Sequence, residues 1–334
     1  MILFSWLFFL LAAALVFHAG RQLTIRGEEL AEQTGLARAF VGVILLGLIT
    51  SLPELVSTLG ASALVGEPNL ALGNIFGSNA CNLAILAFLE IVTVTGTLAH
   101  TLDRDNLLTA FLSLIMVSLA SMAVIIRGRW HLGFVDLFTP AIAGCYLVGM
   151  AMLYRFQKLQ TPPGESGGEA PPPPADPEKL ARLKKEIFRL AALIVVAALV
   201  LSYTADQIAE ATGWGSTFVG NFMLAIATSL PEMAVTYSAI RIGSFPMAAG
   251  NIFGSNIFNI AILAVTDLGF FSGSLYRQAQ HGQLMIAMVG ILLASVYLFS
   301  TFYGVKRRLL SIRMDSLTVL TIYLLSMYAL FHLR

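Results

Sequence analysis

Two glutamates, Glu54 and Glu232, each lie in the middle of a long apolar run of the sequence. A carboxylate at the centre of a lipid bilayer costs several kcal/mol unless it faces a cavity, a cation or a partner. No Lys or Arg lies within these runs, because every basic residue falls in a loop or near the end of a run. The pair therefore indicates a cation bound between the carboxylates, or protons carried on them. The alternative is two protonated glutamates that only hydrogen-bond within the core.

Each glutamate directly follows a proline, Pro53 or Pro231, in the pentapeptide TSLPE. Proline has no N–H to donate to the carbonyl four residues earlier, at Ile49 or Ala227, so it opens the helix there. Broken backbone at membrane depth is tolerated only where it is buried in protein or lines a cavity. Freed carbonyls, the hydroxyls of TSLPE and the carboxylates form an all-oxygen set, which suits hard cations such as Na⁺ and Ca²⁺. A proline kink with no binding role is the alternative.

A second motif, GNIFGSN, lies in the apolar run that follows each glutamate. Ser78 and Asn82 are four residues apart and share a helix face, and Ser255 and Asn259 repeat this spacing. We expect these oxygens to face the glutamates and complete a cage for a cation, with ordinary packing of small residues as the alternative. The predicted metal-binding residues are Glu54, Glu232, Thr50, Thr228, Ser51, Ser229, Ser78, Ser255, Asn82 and Asn259.

Both motifs occur twice because the sequence contains an internal duplication. TSLPE at 50–54 recurs at 228–232, an offset of 178, and GNIFGSN at 73–79 recurs at 250–256, an offset of 177. Apolar runs between polar segments predict ten membrane-spanning helices, five in each half. The predicted spans are roughly 2–19, 38–63, 70–95, 106–126, 134–154, 186–206, 215–240, 247–271, 282–302 and 315–332.

The composition makes lipid the solvent for most of this chain. Of its 334 residues, 57% are hydrophobic and 12% are charged, whereas soluble domains carry about 25% charged residues. An odd number of spans in each half places the second half upside-down relative to the first. Inverted repeats of this kind hold substrate at their midplane interface. The predicted fold is an all-α integral membrane protein with ten transmembrane helices in two inverted five-helix repeats.

A segment rich in Pro, Gly and charged residues separates the two halves. The predicted domains are a first repeat at 1–155, with its α-repeat motif at about 40–87, a flexible linker at 156–184, and a second repeat at 185–334, with its motif at about 218–264. Loops after odd-numbered helices carry sixteen Lys and Arg residues, and the other side carries four. This asymmetry predicts a cytoplasmic linker and outside termini in the plasma (inner) membrane.

The pattern G-x-x-TSLPE followed by GN-x-x-GSN-x-x-N, present in both halves, resembles the α-repeats of the calcium/cation antiporter superfamily. It resembles the sodium/calcium exchanger branch most, over nearly the whole chain. The resemblance implies that Glu54 and Glu232 ligate Ca²⁺, together with the backbone carbonyls of Thr50 and Thr228. It also implies two flanking Na⁺ sites, one formed by Thr50, Ser78 and the Gly47 carbonyl and the other by Thr228, Ser255 and the Ala225 carbonyl.

One position departs from that branch. Its microbial members carry Asn at the fourth residue after the first serine and Asp after the second, whereas this chain has Asn82 and Asn259. Proton-coupled calcium exchangers of the superfamily tend to have amides at both positions. The site thus contains two carboxylates instead of three, which leaves the coupling ion open between Na⁺ and H⁺.

We expect exchange of Ca²⁺ for Na⁺ across the membrane by alternating access, with H⁺/divalent-cation exchange as the alternative and a cation channel as a distant one. No nucleophile–base pair, metal cluster or nucleotide-binding motif is present, so we expect no enzyme activity. We also expect no cofactor besides the transported ions, no nucleic-acid partner and a functional monomer. Glu90 and Asp267, equivalent by the repeat, are expected at the membrane interface.

Overall fold

The computed structural model describes residues 2–64, 66–93, 104–127, 131–132, 135–160, 176–212, 227–303, 308–309 and 312–332. Within these ranges the helices fall into ten segments that follow the ten predicted spans in order. Seven of the described helices are long and apolar enough to cross a membrane. The prediction of an all-α membrane fold with ten helices is confirmed.

The first half contains five helices and a short hairpin. The helices are α1 (Ile2–Thr34), α2 (Arg38–Ser62, interrupted), α3 (Pro68–Val92), α4 (Arg104–Ile126) and α5 (Phe138–Gln160). The two-residue strands β1 (His131–Leu132) and β2 (Val135–Asp136) pair antiparallel just before α5.

The second half repeats this order. Its helices are α6 (Pro177–Ala211), α7 (Leu230–Arg241), α8 (Phe245–Gly269), α9 (His281–Tyr303) and α10 (Met314–His332), with a 3₁₀ turn at Leu275–Gln278 before α9. Strands β3 (Arg308–Leu309) and β4 (Ile312–Arg313) pair just before α10. The two hairpins lie 177 residues apart, the offset of the GNIFGSN motifs.

Helix α1 continues well beyond the predicted end of its span at residue 19. The added turns are polar, and several of their charges are paired: Arg26 Nη1 lies 2.6 Å from Glu29 Oε1, and Arg26 Nε lies 2.8 Å from Glu186 Oε2 of α6. Pairing allows the helix to continue where apolar periodicity ends. As a result, α1 and α6 pack along each other over a long shared surface, and α1 also packs on α7.

The helices also extend into the segment predicted as a linker, 156–184. Helix α5 ends at Gln160, and α6 begins at Pro177 after an N-cap in which Asp176 Oδ1 accepts a hydrogen bond from Glu178 N at 3.0 Å. The polar turns at both edges are therefore helical. Residues 161–175 lie outside the described ranges, so the flexibility of the linker stays a prediction.

Helix α8 lies at the centre of the molecule and packs against α2, α3, α4, α5 and α7. Glycines allow α2 and α8 to approach closely. A Cβ on Gly254 would lie 2.6 Å from Val43 Cα, and a Cβ on Gly47 would lie 2.7 Å from Ser255 N. This close contact places the TSLPE segment of the first half directly against the GNIFGSN segment of the second.

Glu90 and Asp267 form hydrogen bonds between helices of opposite halves. Glu90 Oε2 accepts a hydrogen bond from Ser316 Oγ of α10 at 2.5 Å, and Asp267 Oδ2 accepts one from Thr139 Oγ1 of α5. Asp267 Oδ1 also accepts one from Leu275 N at 2.7 Å. Both carboxylates are buried against a helix of the other half, near the end of their own helix, and their depth at the membrane interface stays a prediction.

Candidate cation-binding site

Both TSLPE segments interrupt their helices at the serine. In α2 a π-helical turn (Gly42–Leu46) and a short helix (Gly47–Thr50) end at Ser51, and the helix resumes at Leu52–Leu59. Ser51 has φ −91° and ψ 4°, and Ser229 before α7 has φ −88° and ψ 5°. The nearly identical angles show that the same sequence produces the same distortion twice. The predicted helix break before each glutamate is confirmed.

Glu54 and Glu232 lie in the first turn after each break, and both are completely buried. Ser51, three residues before Glu54, donates a hydrogen bond to Glu232 Oε1, which brings the segments that carry the two glutamates together. The ion pairs formed by the described residues lie on α1, α2 and α6 and include neither glutamate. Among the described residues, these two buried acidic side chains therefore have no basic residue paired to them.

Neutral oxygens from both halves surround the Glu232 carboxylate. Ser51 Oγ donates to Glu232 Oε1 at 3.3 Å, and Ser255 Oγ lies 3.5 Å from the same oxygen. Thr50 Oγ1 and Ser255 Oγ are 3.1 Å apart. Residues from α2, α7 and α8 thus meet at a single carboxylate.

The carbonyl of Gly47 belongs to the same group of oxygens. It accepts from Ser255 Oγ at 3.2 Å and from Thr50 Oγ1 at 3.4 Å. The resemblance groups Gly47 and Thr50 with Ser78 of their own half, whereas these hydrogen bonds join them to Ser255 of the other half. The cause is the close packing of α2 on α8 through Gly47 and Gly254.

Several buried oxygens of the motif residues have no hydrogen-bond partner among the described residues. These oxygens are Glu54 Oε1 and Oε2, Glu232 Oε2, Asn82 Oδ1, Asn259 Oδ1 and Ser229 Oγ. A buried acceptor without a partner is costly, and few are found in native proteins. Oxygens in this state fit a cation that takes them as ligands, and Ca²⁺ takes about 6–8 oxygens.

The other predicted ligands that the structure describes are also buried. Ser78 in α3 and Thr228, two residues before α7, are each 3% exposed. Cys81 of α3, adjacent in sequence to Asn82, is buried as well. Ala225 lies outside the described residues, so the role of its carbonyl stays a prediction.

The asparagine at the second position of each GNIFGSN motif is absent from the predicted ligand set. Asn251 Nδ2 donates to Thr236 Oγ1 at 2.9 Å and to the Glu232 carbonyl at 3.3 Å. In the first half, Asn74 Nδ2 donates to Thr58 Oγ1 at 3.0 Å. Each asparagine therefore holds the helix that carries the glutamate of its own half. Their presence in both motif copies was the available signal.

Among the described residues, the arrangement presents carboxylate, hydroxyl, carbonyl and amide oxygens. Hard cations such as Na⁺ and Ca²⁺ prefer such ligands. Burial strengthens the attraction between two carboxylates and a cation, because the surroundings screen charge poorly. The described geometry therefore fits a site that binds a hard cation and releases it only when a path to water opens.

Known proteins resemble this chain over most of its length. The inner membrane protein YrbG of Escherichia coli is 27% identical over 251 residues, which cover 75% of this chain and 74% of YrbG. The sodium/calcium exchanger MaX1 of Methanosarcina acetivorans is 25% identical over an alignment 339 residues long, gaps included, which covers 92% of this chain and 94% of MaX1.

A solved structure has the same fold. It is the sodium-calcium exchanger NCX_Mj soaked with 10 mM Na⁺ and zero Ca²⁺, with a TM-score of 0.76, 19% identity and coverage of 98% of this chain and 99% of that one. The family model described as sodium/calcium exchanger protein matches residues 4–154 and 187–332, which include both TSLPE and both GNIFGSN segments. The chain belongs to the sodium/calcium exchanger protein family.

Proposed function

We propose that this protein is a secondary active transporter that exchanges Ca²⁺ for Na⁺ across the membrane by alternating access. The observation that carries the proposal is the burial of Glu54 and Glu232 with no basic partner in the described part of the chain, and with neutral oxygens from both halves around Glu232. The two carboxylates form one site, for which Ca²⁺ and Na⁺ compete.

Exchange, as opposed to one-way transport, follows from the charge of the site. Moving two ionised carboxylates through a closed, water-free state costs several kcal/mol per charge unless a cation neutralises them. The protein is therefore able to switch between its inward-open and outward-open states when a cation occupies the site. When the site is empty, the same switch is too costly. Each Ca²⁺ that leaves has to be replaced before the protein returns.

Sodium is the favoured coupling ion because neutral oxygens are already in place. The Gly47 carbonyl and the hydroxyls of Thr50 and Ser255 lie within hydrogen-bond distance of one another beside Glu232. Na⁺ needs such ligands, whereas a proton needs only a carboxylate. The name of the relative MaX1, sodium/calcium exchanger, agrees with this choice.

Exchange of H⁺ for Ca²⁺ is the second candidate, and Asn259 is the residue that favours it. With Asn82 and Asn259 both amides, the site carries two carboxylates in the described structure. Protonation of both glutamates would neutralise it without any Na⁺.

Purified protein in liposomes tests the two candidates directly. Vesicles loaded with Na⁺ are diluted into Na⁺-free medium with ⁴⁵Ca²⁺ at clamped membrane voltage and equal pH, and a pH gradient replaces the Na⁺ gradient in a parallel series. We expect Ca²⁺ uptake driven by Na⁺. Uptake that follows the pH gradient and ignores Na⁺ would establish the proton-coupled candidate, and flux without a counter-ion would indicate a channel.

We further propose a plasma-membrane location, outside termini, a cytoplasmic linker and a functional monomer without a cofactor. The uneven distribution of Lys and Arg between loops supports the orientation. The relative YrbG is named an inner membrane protein. Labelling of single cysteines in the linker and at the C-terminus, in intact and in permeabilised cells, tests the orientation.

A further inference from the structure

Four asparagines form a hydrogen-bonded group where α3 and α8 cross. Asn79 and Asn82 come from α3, and Asn256 and Asn259 come from α8. None of the four is more than 2% exposed. Asn82 and Asn259 are candidate ligands of the transported cation, whereas Asn79 and Asn256 have no role in the site described so far.

The amides of Asn79 and Asn256 are fixed by each other's backbone. Asn79 Nδ2 donates to the Asn256 carbonyl at 3.2 Å, and Asn256 Nδ2 donates to the Asn79 carbonyl at 3.2 Å. A backbone carbonyl only accepts hydrogen bonds, so the nitrogen of each side chain has to point toward it. The side-chain oxygen of each of the two residues is therefore turned the other way.

The orientation of Asn79 and Asn256 in turn fixes that of the two candidate ligands, Asn82 and Asn259. Asn82 Nδ2 donates to Asn256 Oδ1 at 3.0 Å, and Asn259 Nδ2 donates to Asn79 Oδ1 at 3.0 Å. Because the receiving oxygens only accept, the NH₂ groups of Asn82 and Asn259 are committed to them. Their own Oδ1 atoms face away and have no partner among the described residues.

We propose that Asn79 and Asn256 are positioning residues that turn the amide oxygens of Asn82 and Asn259 toward the transported cation. The inference rests on the proposed function. An amide has nearly the same shape with its oxygen and nitrogen interchanged, so packing alone does not choose between the two orientations. The nitrogen end repels a cation and the oxygen end binds one. The reciprocal hydrogen bonds of Asn79 and Asn256 fix the amide orientation of both Asn82 and Asn259.

A double-mutant cycle tests the proposal on the purified full-length protein. Asn256→Leu removes the acceptor that holds Asn82, and Asn82→Asp provides a side chain with an oxygen in either orientation. Asn106→Leu, at a fully buried asparagine of α4 outside the group, is the matched control. Ca²⁺ and Na⁺ binding are measured by calorimetry and unfolding temperature by fluorescence, with liposome transport alongside. If Asn256→Leu does not yield folded protein, Asn256→Ser replaces it, because its side chain is too short to reach Asn82.

We expect Asn256→Leu to raise the Kd for Ca²⁺ about 10- to 100-fold, as losses of ligand-orienting partners do. In the Asn82→Asp background the same change should cost much less, because an aspartate needs no orientation. Equal losses in both backgrounds, or a Kd unchanged by Asn256→Leu, would overturn the inference while the proposed function stands. A wild-type protein that binds neither Ca²⁺ nor Na⁺ would overturn both.

Discussion

At the scale of single residues, the two carboxylates of the site differ in their hydrogen bonds. Glu232 Oε1 accepts from Ser51 Oγ, whereas both oxygens of Glu54 are without a partner among the described residues. Both side chains are nevertheless completely buried. Each supplies half of the negative charge available to a cation, so neither should be replaceable by a neutral side chain.

Glu54→Gln and Glu232→Gln should each abolish Ca²⁺ transport while the protein still folds and inserts. Loss of a charged ligand should exceed the 10- to 100-fold effects of orienting partners, so we expect uptake to fall by at least about 100-fold. The measurement is ⁴⁵Ca²⁺ uptake in liposomes, with size-exclusion profiles as the test of folding. The exposed Glu210, changed to Gln, is the matched control. Wild-type uptake by either site variant would contradict a paired-carboxylate site.

Ser255→Ala should weaken the Na⁺ dependence of transport more than the affinity for Ca²⁺. Its hydroxyl contacts Thr50, the Gly47 carbonyl and Glu232, so its loss removes one neutral oxygen and no charge. We expect the Na⁺ concentration for half-maximal effect to rise about tenfold. Ser121→Ala is the control, since that hydroxyl donates at 2.8 Å to Val117 within α4. An equal effect on Ca²⁺ and Na⁺ would argue against a separate role in Na⁺ binding.

At the scale of helices, the contact between α2 and α8 determines where the oxygens lie. Backbone atoms of the two helices approach so closely that a methyl group on Gly42, Gly47, Gly250 or Gly254 would collide with the partner helix. Close approach through glycine is common between membrane helices. Here it brings Ser255 within hydrogen-bond distance of Gly47 and Thr50, which lie in the other half of the sequence.

Gly254→Ala should therefore impair transport without touching any ligand. Its Cβ would lie 2.6 Å from both Cα and O of Val43, so α8 has to move away from α2. Steric overlap with the backbone lowers the free energy of unfolding by about 1–3 kcal/mol. We therefore expect Gly254→Ala to have a lower unfolding temperature and weaker Ca²⁺ binding. Gly144→Ala in α5, where no atom lies within 4 Å of the added Cβ, is the control. Unchanged binding in Gly254→Ala would show that the site tolerates a wider helix separation.

How much of this could be predicted from sequence depends on how local each interaction is. Pro53 and Pro231 predict the helix breaks, because a missing N–H acts within one turn. The crossing of α3 and α8 has no such local signal, so the pairing of Asn79 with Asn256 could not be predicted from their spacing. The polar end of α1 has no apolar periodicity, and its contact with Glu186 through Arg26 joins residues far apart in the sequence, so the extension was not predicted.

At the scale of the whole molecule, the two halves are interleaved. Helix α1 packs along α6 and α7, α3 packs against α9 and α10, and α8 packs against helices of the first half. Glu90 and Asp267 add buried hydrogen bonds between halves. Association of the halves is therefore provided by the helices and does not depend on the segment that joins them.

Cleavage within residues 161–175 should leave transport nearly intact. Each half keeps its five helices, and their buried contacts hold the fragments together in detergent and in lipid. A protease site inserted in this segment, followed by purification through a tag on one half, should recover both halves and at least about half of the uptake. The control is the same site inserted next to Gly66, between α2 and α3 of the first half. Co-purified halves that no longer bind Ca²⁺ would assign the segment a direct role.

The hydrogen bond from Ser51 to Glu232 has a counterpart by the repeat, from Ser229 to Glu54, and among the described residues only the first is made. The two repeats thus differ at this hydrogen bond, although Ser51 and Ser229 have nearly the same backbone angles. If the two halves exchanged these arrangements, the unmade bond would form and the made one would break. In the proposed alternating-access cycle, the site would then face the opposite side of the membrane. The reciprocal pair Asn79 and Asn256 would map onto itself and persist. Both end states of the cycle would then be specified by one set of contacts, which each half adopts in turn.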